Sequence, residues 1–124
     1  MSTTSSGRKA EELAGLHLEQ KGFVLIARNM RNEYGEIDLI AEHGDTVVFC
    51  EVKLRKSAGF ARGLEHVDRR KQTRYLNASS LWLAGNRPEA QARFDVIEIY
   101  GDIDRPAAVR INHIENAFWG EFDV

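Results

Sequence analysis

Asp38, Glu51 and Lys53 lie close together in a short stretch of this chain, Gly35 to Arg55, that is otherwise rich in apolar residues. Two carboxylates that face one another repel, and a divalent cation with a few waters relieves the repulsion, giving an oxygen site suited to Mg²⁺ or Mn²⁺. A protonated lysine cannot ligate that cation, but it can reach a phosphate held beside it. Whether the three side chains meet depends on the elements that carry them.

Those elements read as a β-hairpin. Ile37 to Ala41 and Val47 to Val52 are apolar runs joined at Gly44-Asp45, and glycine at the first central position suits a two-residue type II′ turn. With that turn, facing residues are Ile37 with Val52, Leu39 with Cys50 and Ala41 with Val48, an apolar face. Alternation then puts Glu36, Asp38, Ile40 and Glu42 on the other face, opposite Lys53, Glu51, Phe49 and Val47. Asp38 is expected across from Glu51, with Cβ atoms about 5 Å apart, a separation at which like charges destabilise a sheet. The alternative is a wet face on which Glu36 pairs with Lys53 and the two acids are solvated. Ile40, Phe49 and Val47 on that face imply that part of it is covered.

Asp38 followed by Glu51-Val52-Lys53 across a hairpin resembles the D…E-x-K core of the PD-(D/E)XK nuclease superfamily. In combination, G-E-I-D-L-I at Gly35 to Ile40, F-C-E-V-K-L-R at Phe49 to Arg55 and R-F-D-V at Arg93 to Val96 resemble the YraN-like family. That is a bacterial family of small proteins akin to Holliday-junction resolvases, and the likeness runs from about Gly7 to Phe118. The resemblance implies a metal-dependent nuclease acting on nucleic acid, DNA or a branched repair intermediate, with Asp38 and Glu51 as ligands and the Val52 carbonyl as a third. It also implies Glu11, from the pattern E-x-x-A at Glu11 to Ala14, as a contributor to the metal, and Lys71 as a lysine beside the site. Lys53 would orient water or neutralise charge on the phosphate. Ile37 departs from the pattern where proline is common, as does Cys50 at a usually aliphatic position; neither removes a chemical group. A homodimer, as resolvases form, is left open.

Composition is compatible with this and excludes little. The chain has 124 residues, 43% of them hydrophobic, and a formal charge of −2, which suits one domain and does not single out a nucleic-acid binder. The charge is unevenly spread. Between Lys53 and Arg74 there are eight Lys or Arg against two acids, and of these Arg55, Lys56, Arg62, Arg69, Arg70 and Arg74 form a candidate phosphate-binding stripe. The alternative is a solvated helix face. Lone Cys50 excludes an intrachain disulfide and suits a reducing cytoplasm. With no charged leader and no apolar run long enough for a bilayer, a soluble cytoplasmic protein is expected.

The remaining chain supplies the frame. Residues 1–6 form a polar tail expected to be disordered, ahead of a single domain spanning 7–124. Ala10, Leu13, Ala14, His17 and Leu18 mark the apolar stripe of a first helix that ends at Gly22. Glu11 lies at the edge of that stripe, as a site residue or as an exposed flank; His17, within it, reads as a satisfied core histidine. Phe23 to Ala27 reads as a strand buried on both faces and central in the sheet. Leu54 to Gly63 reads as a loop, and Leu64 to Leu83 as a second helix with Leu64, Val67, Lys71, Tyr75, Ala78 and Trp82 inward. Lys71 there either snorkels to the edge of the stripe or serves the site. Arg93 to Tyr100 and Val109 to Ile114 complete the sheet, Asp95 reading as a structural pair rather than a ligand. Ala117, Phe118 and Trp119 form an apolar tail that should dock on the domain or on a partner chain.

The expected architecture is therefore α/β: a single mixed β-sheet flanked by helices in the order α-β-β-β-α-β-β, similar to the PD-(D/E)XK core. The expected activity is divalent-metal-dependent phosphodiester hydrolysis. The rival is a non-catalytic nucleic-acid-binding or assembly module with the same fold.

Overall fold

The computed structural model describes residues 5–55 and 69–117. Its elements are α1 (Ser5–Gln20), β1 (Val24–Asn32), β2 (Gly35–His43), β3 (Thr46–Arg55), α2 (Arg69–Asn86), β4 (Gln91–Tyr100), a 3₁₀ turn at Pro106–Ala108, and β5 (Arg110–Ile114). The sheet is five-stranded in the order β1-β2-β3-β4-β5. Among the described strands only β3 and β4 pair in parallel, which needs a long crossover such as the one that carries α2; the other neighbours are antiparallel.

The helices divide the core between the two faces. On one, α1 brings Ala10, Ala14 and Leu18 against Leu39, Ala41, Val48, Cys50, Ile97 and Ile99. On the other, α2 brings Tyr75 and Ala78 against Ile40, Val47, Phe49, Phe94 and Val96. Cys50 is a buried free thiol of the first cluster, as its place in the strand predicts. Phe49, 1% exposed, contributes about 1.5 to 3 kcal/mol by its burial alone.

Helix α1 stops where its sequence says it should. Phe23 N–H donates to the Leu18 carbonyl and Gly22 N–H to that of Glu19, the paired bonds of a Schellman cap, with Gly22 at φ +92°. Its start differs from expectation: Ser5 and Ser6, assigned to the disordered tail, form the first helical residues, because each added residue brings a hydrogen bond once the buried turns have nucleated the helix. Residues 1–4 lie outside the described residues, as do Leu64 to Asp68, the expected opening of the second helix.

The hairpin forms with the expected register, His43 opposite Thr46 and Leu39 opposite Cys50. Gly44 has φ +63°, whereas Asp45 is not in the positive-φ region, as type II′ requires. Two expectations fail around it. The apolar strand thought to be central is β1, an edge strand with Val24 61% exposed. A tight turn at residues 33–34 returns β1 directly onto β2, and β4 takes the place beside β3 instead. Ile37, expected with Leu39, belongs to the cluster beneath α2, with Met30 opposite it. The ladder between β1 and β2 is irregular here: its register shifts between Leu25 and Ala27, and Asn29 has φ +50°.

Asp95 forms a structural knot, as its sequence context suggests. Fully buried, it receives Arg93 Nε and Nη2 at 3.0 and 2.9 Å, His113 Nε2 at 2.7 Å and the Asn116 N–H at 3.1 Å. Burial pushes its carboxyl up, but His113, Arg93 and the Asn116 N–H outweigh burial and hold it below the usual range. His17 is only half-buried and differs from the satisfied core histidine expected. Its Nε2 has no hydrogen-bond partner, and its ring meets His113 edge-on at 5.3 Å. Ala117 does dock, its N–H donating to Phe94 at 2.7 Å; Phe118 and Trp119 lie outside the described residues.

Candidate functional site

The acids meet where β2 and β3 cease to pair. The ladder between them ends at Leu39 and Cys50, after which β2 continues along β1 and β3 along β4. Asp38 Oδ2 accepts the Val52 N–H at 2.8 Å, so a side chain takes a backbone donor that a regular hairpin would have given to the ladder. Asp38 and Glu51 consequently do not face one another as a regular pair. Both line a cavity of about 170 Å³ with Gly35, Glu36, Lys71, Arg74 and Tyr75.

Charge in this cavity is only partly matched. Glu51 is 6% exposed, and its Oε2 receives both Lys71 Nζ at 2.5 Å and Lys53 Nζ at 3.0 Å. Its Oε1 is buried with no hydrogen-bond partner, a costly state for a carboxylate oxygen. Burial lifts the Asp38 carboxyl to about 7; the Val52 hydrogen bond opposes this, and the charges of Glu11, Glu51 and Glu36 reinforce it. Burial alone would lower the Lys71 ammonium, but the hydrogen bond and charge of Glu51 outweigh it and hold it above its ordinary value. Burial, with the charges of Glu51 and Asp38, likewise holds the Tyr75 phenol well above its own, so it faces the cavity as a neutral hydroxyl.

The structure brings Asp38, Glu51, Lys53 and Lys71 together. Lys71 has left the apolar stripe of α2 for the acid, and the stripe closes beside it with Gln72 and Ser79 buried along with Tyr75 and Ala78. Glu11 comes near without joining: burial lifts its carboxyl, with a hydrogen bond from Asn29 opposing, and it adds to the field at Asp38. Among the described residues, no three His, Cys, Asp or Glu side chains converge closely enough to cage a metal. Glu36 binds Arg31 at 3.2 Å, leaving Lys53 to Glu51. Sequence reasoning placed Glu36 on this face but not in the site. Its alternation with Asp38 carried the signal.

The basic stripe divides. Arg69, Arg70 and Arg74 are exposed on α2, and Arg74 borders the cavity. Arg55 belongs to β3, with its Nε 3.6 Å from the buried Glu98, so it is an internal partner more than a surface cation. Lys56 and Arg62, with most of the expected loop, lie outside the described residues. Glu98 itself, 2% exposed, was not anticipated; within I-E-I-Y its alternation gave the face but not the burial.

Fold and site thus define an α/β domain with a two-carboxylate cavity at the parting of two strands, one acid of which holds two lysines. Comparison with known proteins places the chain within a family. Residues 10–99 match the uncharacterised protein family UPF0102, and the chain belongs to it. A UPF0102 protein of Parafrankia sp. (strain EAN1pec) is 43% identical over 113 residues, covering 90% of this chain and 94% of its own. One from Shewanella loihica is 41% identical over 114 residues, covering 92% and 94%, and one from Pasteurella multocida 47% over 94, covering 73% and 79%. No helix among the described residues is long and apolar enough to cross a membrane.

Proposed function

We propose that this protein is a divalent-metal-dependent nuclease of PD-(D/E)XK type, hydrolysing phosphodiester bonds in nucleic acid, with DNA as the first substrate to try. One observation carries the reading: Asp38 and Glu51 share a cavity in which one carboxyl is forced to about 7 and the other leaves an oxygen buried without a partner. A cation is what such a pair lacks. Mg²⁺ keeps several waters and is commonly held by one or two carboxylates plus substrate phosphate, so a three-acid cage is not needed. Asp38 and the free Glu51 Oε1 would hold Mg²⁺ or Mn²⁺, with the Val52 carbonyl and Glu11, through water, as further candidates. When bound, the metal would polarise the phosphate and lower the pKa of a water.

The chain's own groups do the rest. Lys53, beside Glu51, reaches toward the phosphate and offsets the negative charge that grows there as water oxygen bonds to phosphorus and the ester oxygen leaves. Lys71 stays protonated and holds the Glu51 carboxylate in place. Tyr75 offers a neutral hydroxyl to a phosphate oxygen. Arg74, at the cavity's edge, with Arg69 and Arg70 beyond it on α2, suits the flanking backbone.

The test is cleavage of duplex, single-stranded, flapped and four-way DNA with Mg²⁺ or Mn²⁺, beside Asp38→Ala. The parent should cut at least one substrate only with metal, and the variant none. Paired cuts in a four-way junction would point to a homodimer. A parent that binds the panel but never cuts it would support a non-catalytic nucleic-acid module instead.

A further inference from the structure

The face that carries Glu51 and Lys53 does not end at β3. In the parallel register Lys53 lies beside Glu98 and Arg55 beside Tyr100, and across the next ladder Glu98 lies beside Asn112 and Tyr100 beside Arg110. Two polar rows therefore run from the cavity across β4 to β5, Asn112 being roughly 10 Å from Lys53 at ordinary strand spacing. The other half of this face is apolar and lies beneath α2.

Glu98 organises these rows. It accepts the Tyr100 hydroxyl at 2.8 Å and Asn112 Nδ2 at 3.0 Å, and Arg55 Nε stands 3.6 Å away. Its Oε2 is buried without a hydrogen bond, as are Nε and Nη2 of Arg55. A carboxylate 2% exposed in a sheet is costly when imperfectly matched, and an apolar residue would pack there more simply. What Glu98 does is fix an aromatic ring and an amide in the lining of a cleft of about 580 Å³ formed by Tyr100, Arg110, Ile111 and Asn112. The Arg110 guanidinium lies over the Tyr100 ring at 5.9 Å.

We infer that the Tyr100–Arg110–Asn112 cleft, held in shape by buried Glu98 and joined in register to Lys53, is a nucleobase-binding subsite for a nucleotide near the scissile phosphate. The fixed ring stacks on a base, Arg110 extends the stack and meets the backbone, and Asn112 hydrogen-bonds the base edge. This rests on the nuclease reading only in that nucleic acid must be held at the adjoining cavity.

The experiment uses single-stranded DNA oligonucleotides carrying 2-aminopurine, in EDTA so that nothing is cut, with affinity and fluorescence read together. The parent should bind and quench the probe. Tyr100→Ala should lose the quenching and about tenfold in affinity, and Tyr100→Phe, which keeps the ring, should retain most of both. Quenching by Tyr100→Ala equal to the parent's overturns the subsite, and so does a loss in Tyr100→Phe as large as in Tyr100→Ala. A parent that binds and quenches but never cuts with metal sinks the nuclease reading alone. One that cuts, while Tyr100→Ala binds as it does, sinks the subsite alone; one that binds no nucleic acid sinks both.

Discussion

Asp38 binds the Val52 N–H through its side chain at 2.8 Å, and that bond marks where two strands stop being a hairpin and become the walls of a cavity. The acid thus holds the parted strands as well as facing the charge of Glu51. The two duties can be separated by pH and by substitution.

With its carboxyl raised to about 7, Asp38 keeps a proton in the folded protein that the unfolded chain releases at the ordinary carboxylate pKa. Its contribution to stability is full below about pH 4 and falls as pH rises to about 7. Chemical denaturation in EDTA should show this slope. Asp38→Asn, which keeps an acceptor for Val52 without the charge, should flatten it and be the more stable protein above pH 7; a slope unchanged in Asp38→Asn would place its origin elsewhere.

Metal should reverse that disadvantage. Mn²⁺ or Mg²⁺ binding the folded form alone stabilises it by about 2.7 kcal/mol at a hundredfold excess over Kd. Affinity should climb as Asp38 loses its proton on approach to pH 7. Calorimetric titration of parent and Glu51→Ala would check this, and equal affinity for Mn²⁺ in the two would show that the site is misplaced.

Lys53 shares Glu51 Oε2 with Lys71, so its removal leaves the acid one ammonium partner. Lys53→Met is expected to fold, to bind Mn²⁺ as the parent does and to lose cleavage by about a hundredfold or more. Cleavage that survives in this variant would trace the activity to another group or a contaminant.

Arg70→Glu with Arg74→Glu, both exposed on α2, should weaken nucleic-acid binding about equally for all sequences and reduce its salt dependence. The readout is the slope of log affinity against log salt. An unaltered slope removes these two cations from the binding surface.

Asp95→Ala should cost about 3 to 5 kcal/mol, because Arg93 and His113 would lose the buried charge they share. Denaturant titration gives the loss. Since its carboxyl is held below the usual range, the stability it contributes is present above the ordinary carboxylate pKa and disappears only as pH falls through the lower folded value. Metal affinity, measured well below the unfolding midpoint, should be unaffected.

Much of this was legible in the sequence because it is local. Gly44-Asp45 set the hairpin register, Gly22 ended α1, and alternation put Asp38, Glu51 and Lys53 on one face. What escaped was set by neighbours distant in the chain. Phe23 to Ala27 looks central because it is continuously apolar, yet nothing within it reveals that β4 will take the place beside β3. Alternation continued past Leu39 predicts a regular pair at Asp38 and Glu51; only the three-dimensional arrangement shows the side chain capturing Val52. Nothing in the sequence around Glu98 signals its burial, which comes from Tyr100, Asn112 and Arg55 closing on it.

The strand order also bears on how the protein reaches its native state. β1, β2 and β3 pair through two tight turns, whereas β3 and β4 must close a long loop before they meet in parallel, and such closure is slow. Both acids belong to the early, local part of that sequence, and Lys71 arrives with the crossover. Pulse-labelled hydrogen exchange during refolding should therefore protect the amides of β2 ahead of those of β4, leaving an interval in which both acids are in place without the Lys71 ammonium that later pairs with Glu51.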